Sequence, residues 1–314
     1  MNIFKKVWEK IINSNNILLI SHINPDGDAL GSELSLYPIL KKMDKKVTIF
    51  NATKPLPNYL DFLPNFEKIT NLLPNRIDLT ISFDCGSFDR LGIEENPSFL
   101  INIDHHISNT NYGDVNLVMP TYASTSQIIY DLLNANNIKI DKESAICIYT
   151  ALVTDTGSFQ YENVDDKVFE CATNLVKCGV KVDYISKMLF QRDRLSRLRL
   201  LAKVYETIEL SLSVKAGFVE VTKEMLEITG ASKEDTDTIA NSVRNLATVE
   251  VACMLREEDE GIKISLRSKN YVDVSKIAMK YGGGGHIRAA GATIKDGDFK
   301  KIKEMLKNDL KEVI

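Results

Sequence analysis

The sequence predicts an α/β protein of two domains: an N-terminal doubly wound, mainly parallel sheet, then a smaller C-terminal α/β domain. Three observations carry this. The first half alternates short all-apolar runs with helix-period stretches, as strands covered on both faces do. The second half changes rhythm to paired, alternating strands interleaved with helices. A chain of 314 residues also has enough length to bury two separate cores.

Residues 2–14 have helical spacing, and Ile17–Ile20 is a buried-strand run. Ala29–Met43 is amphipathic and helical, and Val47–Phe50 is a strand. Leu79–Phe83 and Phe99–Ile103 are further strands, with helices expected over 124–136, 142–154 and 166–178. The Arg-, Lys- and Leu-rich stretch 182–210 is expected to be one connecting helix. Beyond it, strands pair over 206–213 with 217–222 and over 249–256 with 262–267, the latter turning through Glu257–Gly261. Helices are expected near 233–246, 273–280 and 298–312. The domains are therefore expected at 1–190 and 210–314, joined by a linker helix at 191–209.

The 39 basic and 43 acidic side chains give a formal net charge of −4. Proteins that grip long nucleic acid usually carry a basic surplus, so long duplex DNA is not the expected partner and any nucleic-acid substrate is short. Five cysteines without a C-x-x-C pair read as reduced thiols of a cytoplasmic protein. The charged N-terminus does not suit a signal peptide, and no apolar run approaches membrane length, so no membrane association is expected. The apolar helical surface near 182–210 leaves a homodimer open.

The chemistry gathers where elements end. His22-Ile23-Asn24-Pro25-Asp26-Gly27-Asp28 follows the first strand, where ligands collect in open parallel sheets. A Pro-Asp-Gly turn with Asp28 capping the next helix would also explain the loop. Asp84 ends the third strand run, Asp104-His105-His106 ends the fourth, and Asp155 ends a helix before Thr156-Gly157. Adjacent histidines cannot both enter a core, because strand side chains alternate. Taken together, His22, Asp26, Asp28, Asp84, His105 and Asp155 supply two imidazoles and four carboxylates. That is too many for one ion that must also hold substrate, and it suits two divalent cations of the Mn²⁺ type. In the second domain, Gly282-Gly283-Gly284-Gly285-His286 offers backbone N–H groups to a phosphate, with Arg267-Ser268 nearby; it is neither a P-loop nor a dinucleotide fingerprint.

These segments resemble the motifs of the DHH phosphoesterase superfamily, and Gly283–His286 with Ala289-Ala290-Gly291 is similar to the signature of the DHHA1 domain. The two-domain length resembles the nano-RNases, bifunctional oligoribonucleases that also dephosphorylate 3′-phosphoadenosine 5′-phosphate. The resemblance implies a site in the interdomain cleft, with His22, Asp26 and Asp84 on one Mn²⁺ and Asp28, Asp84, His105 and Asp155 on the other. Mg²⁺ or Co²⁺ are alternatives. Asp104 would orient its neighbouring histidine and His106 would contact the scissile phosphate, as the catalytic pair. Arg267, Ser268, Gly283, Gly284, Gly285 and His286 would bind the nucleotide, and Arg288 has no assigned role. A cyclic di-AMP or pApA phosphodiesterase is the alternative within this class. A non-catalytic nucleotide or RNA binding module is the more distant one.

Overall fold

A computed structural model describes residues 2–95 and 98–314, which form two compact units, one running to Arg192 and the other starting at Asp193. The first unit opens with α1 (Ile3–Ile12), capped by the Asn2 side chain and buried through Val7, Trp8 and Ile11. β1 (Asn16–Ser21), α2 (Gly27–Lys42), β2 (Lys46–Phe50), β3 (Ile69–Thr70), β4 (Leu79–Phe83), β5 (Phe99–Asp104) and β6 (Val115–Val118) follow. Then come α3 (Thr125–Ala135), α4 (Lys142–Asp155), α5 (Asp166–Lys177) and α6 (Val182–Phe190).

The sheet order is β3-β2-β1-β4-β5-β6 and every pairing is parallel. Central β4 is buried along its whole length, its two polar residues included: Thr80 Oγ1 lies 2.8 Å from Ser98 Oγ and Ser82 Oγ accepts from Tyr112 OH at 2.8 Å. The strand order reverses between β1 and β4, so their carboxyl ends flank the crevice where such sheets take ligands. The sequence reading omits β3, which is only two residues long, and β6, whose residues alternate between buried and half-buried.

Helices α2 and α4 cross closely because α2 carries Gly27 and Gly31 one turn apart on the same face. A Cβ at Gly31 would lie 2.6 Å from the carbonyl oxygen of Cys147 and 2.7 Å from Cβ of Ala151. Neither neighbour can swing away. Gly31→Val is therefore expected to overpack the crossing, costing about 3 kcal/mol. A thermal melt followed by circular dichroism should show the midpoint falling by about 6–12 °C; an unchanged midpoint would contradict the tight crossing.

The second unit contains α7 (Leu195–Glu206), β7 (Glu209–Ser211), β8 (Ala216–Val221), α8 (Lys223–Thr229), α9 (Ile239–Arg244), β9 (Val251–Glu258) and β10 (Gly261–Ser268). α10 (Val274–Lys280), β11 (Gly284–His286), β12 (Ala289–Ile294) and α11 (Phe299–Lys311) complete it. Its sheet runs β11-β12-β10-β9-β8-β7, antiparallel except between β8 and β9. Both expected strand pairs form. The β9–β10 turn is tighter than expected, with Glu258 already paired to Gly261. Gly261 has φ +135°, and a Cβ there would lie 2.2 Å from the carbonyl oxygen of Ile294.

Three expectations need correction. The stretch 182–210 is two helices, α6 and α7, because residues 191–194 leave the helix and Arg192 reaches Asp61 through two hydrogen bonds of 2.6 and 3.0 Å. α7 then buries Leu200 and Val204 with Val219 and Val221. The expected helix at 233–246 is a 3₁₀ turn at Lys233–Thr236, fixed by a capping box between Ser232 and Asp235, followed by the short α9. The glycine run is not a free loop: Gly284–His286 is an edge strand paired with Ala289–Gly291. A Cβ at Gly283 would lie 2.1 Å from the carbonyl oxygen of Gly291, so this glycine is needed for close strand approach.

Of the five cysteines, four are buried and Cys178 is half-buried; all are free thiols. Among the described residues, no helix is long and apolar enough to cross a membrane.

Candidate active site

At the carboxyl edge of the first sheet, β1 delivers His22 and the turn into α2 delivers Asp26 and Asp28. It is Asp26 that caps α2, accepting from the backbone N–H groups of Asp28 and Ala29 at 3.1 and 3.0 Å. Asp28 is instead buried against the start of α3. Its Oδ2 accepts from Thr125 N at 2.7 Å, and its Oδ1 accepts from Ser126 N at 3.1 Å and Ser32 Oγ at 3.2 Å. A helix N-terminus is a favourable place to hold a carboxylate.

Asp84 follows β4 with φ +52°, a left-handed conformation uncommon outside glycine. Its amide donates to Ile103 O at 3.0 Å and its Oδ1 accepts from Thr125 Oγ1 at 3.0 Å. Asp84 Oδ2 lies 3.7 Å from His22 Nε2, while Oδ1 lies 3.6 Å from His105 Nε2. The two oxygens of one carboxylate thus face two different groups. Asp155, the last residue of α4, places Oδ2 3.3 Å from His105 Nε2.

The imidazoles are oriented from behind. His105 Nδ1 meets the carbonyl of Tyr122 at 3.2 Å and His22 Nδ1 meets that of Ile23 at 2.9 Å. Each contact assigns the proton to Nδ1 and leaves the Nε2 lone pair directed into the site. His106 is turned the other way, with Nδ1 donating to Asp104 Oδ1 at 2.6 Å. Asp104 is fully buried and also accepts from His105 N, His106 N and Asn109 Nδ2.

The charges are not balanced within the protein. Burial and repulsion by Asp84 push Asp28 up to about 7, and burial with repulsion by Asp28 pushes Asp155 well above the carboxylate range. Burial opposes ionisation of Asp84 too, but His106, His22 and His105 hold it below its ordinary value. Burial disfavours a charged His106, yet the Asp84 charge and the Asp104 hydrogen bond outweigh it and raise its pKa to about 9.

All six residues expected to ligate cations come together, in groups whose ligand atoms lie within 4.8 Å of one another: His22, Asp26 and Asp84; Asp28, His105 and Asp155. Asp84 with His105 and His106 forms a third such group joining them. This donor set fits two divalent cations. It is oxygen-rich with imidazole nitrogens beside the carboxylates, which repel one another unless positive charge is supplied.

In the second unit, Arg267 and Ser268 end β10, where Arg267 pairs with Ala289 and Ala289 pairs with His286. Ser268 N donates to Arg288 O at 3.0 Å, so Arg267, Ser268, His286 and Arg288 share one end of this sheet. Gly284 has nothing within 4 Å of its Cβ position and is exposed, whereas Gly283 and Gly285 are held against β12.

Sequence reasoning misses the residues that hold the ligands: Ser32, Asn109, Tyr122 and Thr125. Among these, Thr125 alone carries a legible signal, as part of the helix-start cluster Ser124-Thr125-Ser126 in which Ser124 caps α3.

The chain matches the DHH family N-terminal domain over residues 16–152 and the DHHA1 domain over residues 221–312. It belongs to the DHH/DHHA1 phosphoesterase family, a class of divalent-metal-dependent phosphoric ester hydrolases. It is 34% identical over 301 residues to the "Bifunctional oligoribonuclease and PAP phosphatase NrnA" of Thermus thermophilus, covering 94% of this chain and 90% of that protein. A protein of the same name from Bacillus subtilis is 29% identical, with 90% and 91% covered. An exopolyphosphatase-related protein from Bacteroides fragilis has a similar structure, with a TM-score of 0.92 at 27% identity over 99% of this chain and 96% of that one.

Proposed function

We propose that this protein hydrolyses phosphate esters of small nucleotides, releasing nucleoside monophosphates from short oligoribonucleotides and AMP from 3′-phosphoadenosine 5′-phosphate. The observation that carries the reading is Asp84, whose two oxygens face the His22–Asp26 group and the His105–Asp28–Asp155 group. The likeness over most of the chain to bifunctional oligoribonuclease and PAP phosphatases supports the substrate class.

His22, Asp26 and Asp84 hold one cation, and Asp28, Asp84, His105 and Asp155 hold the other, Mn²⁺ being the proposed ion. Bound there, the cations would supply a lowered pKa to an attacking water and positive charge to the phosphate oxygens. Asp104 accepts from His106 Nδ1 and so aims the ring, leaving Nε2 for the scissile phosphate. Arg267, Ser268, Gly284 and His286 are the nucleotide-binding residues of the second unit, Ser268 and His286 being held by backbone pairing.

A hydrolysis panel with added Mn²⁺ tests this. It offers 3′-phosphoadenosine 5′-phosphate, pApA, RNA of two to five and of about twenty-four nucleotides, cyclic di-AMP and pyrophosphate. The length cut-off follows from the missing basic surplus. Mononucleotide product from the first substrates and short RNA, with long RNA spared and activity lost to chelator, is the expected result. Turnover of pyrophosphate alone, or of no substrate, would overturn the proposal, and preference for cyclic di-AMP would redirect it.

A further inference from the structure

Glu33 is a carboxylic acid with no exposed surface, on the inner face of α2. Its Oε2 accepts from Ser21 Oγ at 2.6 Å. The other oxygen, Oε1, completes no hydrogen bond. A buried polar atom left in that state is uncommon and disfavoured, so its retention calls for a reason. A leucine would fill similar space on the side of the sheet whose core includes Ile17, Leu19, Leu30 and Leu34.

The reason lies in what Glu33 holds. Ser21 Oγ also accepts from Asn51 Nδ2 at 3.0 Å, and Asn51 Nδ2 donates to the carbonyl of His22 at 3.0 Å. Asn51 Oδ1 accepts from Thr53 N at 2.9 Å, and Thr53 Oγ1 accepts from Asn24 N at 2.7 Å, where Asn24 has φ +54°. The network runs from α2, through the ends of β1 and β2, into the turn that carries His22 and Asp26. The residue before Glu33 is Ser32, which binds Asp28. One turn of α2 therefore touches one cation-binding group directly, through Ser32 and Asp28, and reaches the other through Ser21 and Asn51.

We propose that Glu33 is a positioning residue: through Ser21 and Asn51 it fixes the end of β1 so that His22 Nε2 faces Asp84 for cation binding. This rests on the cation-binding role proposed above for His22.

The test measures Mn²⁺ binding by calorimetry and the melting midpoint of the metal-free protein for Glu33→Leu, Glu33→Gln and Ser21→Ala. Glu33→Leu is expected to weaken one of two Mn²⁺ sites by about 10–100-fold, the range for groups that orient metal ligands. Its metal-free midpoint should hold or rise, because an apolar group replaces a buried polar one. Glu33→Gln keeps an oxygen for Ser21 and should stay close to wild-type affinity, while Ser21→Ala should weaken the same site. Wild-type Mn²⁺ affinity in Glu33→Leu overturns the brace alone, as does an affinity loss that comes only with a collapse of the midpoint. If the unaltered protein binds no Mn²⁺, the cation-site reading is overturned and the brace with it.

Discussion

Exchanging Asp84 for Asn is expected to lower kcat/KM on every phosphoester substrate by more than about 10³-fold, since the loss falls on both proposed cation sites at once. The substitution preserves size and an oxygen able to accept from Thr125 Oγ1, so the local fold should survive. It removes a carboxylate whose two oxygens face the His22 and His105 rings at 3.7 and 3.6 Å. Calorimetry should find fewer than two Mn²⁺ bound per chain, with the far-ultraviolet circular dichroism unchanged. Asp26→Asn removes a more exposed group from one site only and should be milder. Two cations bound with wild-type affinity, and turnover within tenfold of wild type, would refute the bridging position.

How much of this was legible in the sequence depended on where each residue stands relative to an element's end. His22, Asp84, Asp104, His105 and Asp155 all lie at the last position of a strand or helix, or within two residues of it. An apolar run that stops abruptly at Asp or His is visible without any structure. The groups behind them are not, because Asn109, Asn51 and Glu33 have ordinary one-dimensional contexts and the cluster around Thr125 marks only a helix start. They acquire meaning only when parallel pairing and the α2–α3 approach bring them to the ligands. The same limit explains β12. Ala289–Ile294 reads as the tail of a glycine-rich segment, yet it is paired on both sides, and its small side chains allow β11 to approach. Helix boundaries in 182–246 were lost for a different reason. Their residues suit a helix, and tertiary pairs such as Arg192 with Asp61 decide where it breaks.

His106 is the group through which the site is proposed to act on the substrate, and its replacement separates chemistry from metal loading. His106→Gln is expected to lower kcat by about 10²–10³-fold, the usual effect of losing one preorganised donor to a developing negative charge. Mn²⁺ stoichiometry should remain at two, because His106 turns Nδ1 toward Asp104 rather than presenting it freely to a cation. Asp104→Asn makes the complementary test. It leaves the imidazole in place but removes one of the two charges that raise its pKa to about 9. Its kcat should fall in the same direction, with KM for 3′-phosphoadenosine 5′-phosphate little changed, because neither residue is among those proposed to bind the nucleotide. A His106→Gln protein that keeps its kcat but loses a cation would move His106 from substrate contact to metal ligand. That outcome has its own structural basis, since His106 Nδ1 is also 3.4 Å from Asp84 Oδ1. The decisive quantity is therefore the pair of numbers, kcat and bound Mn²⁺, measured on the same preparation.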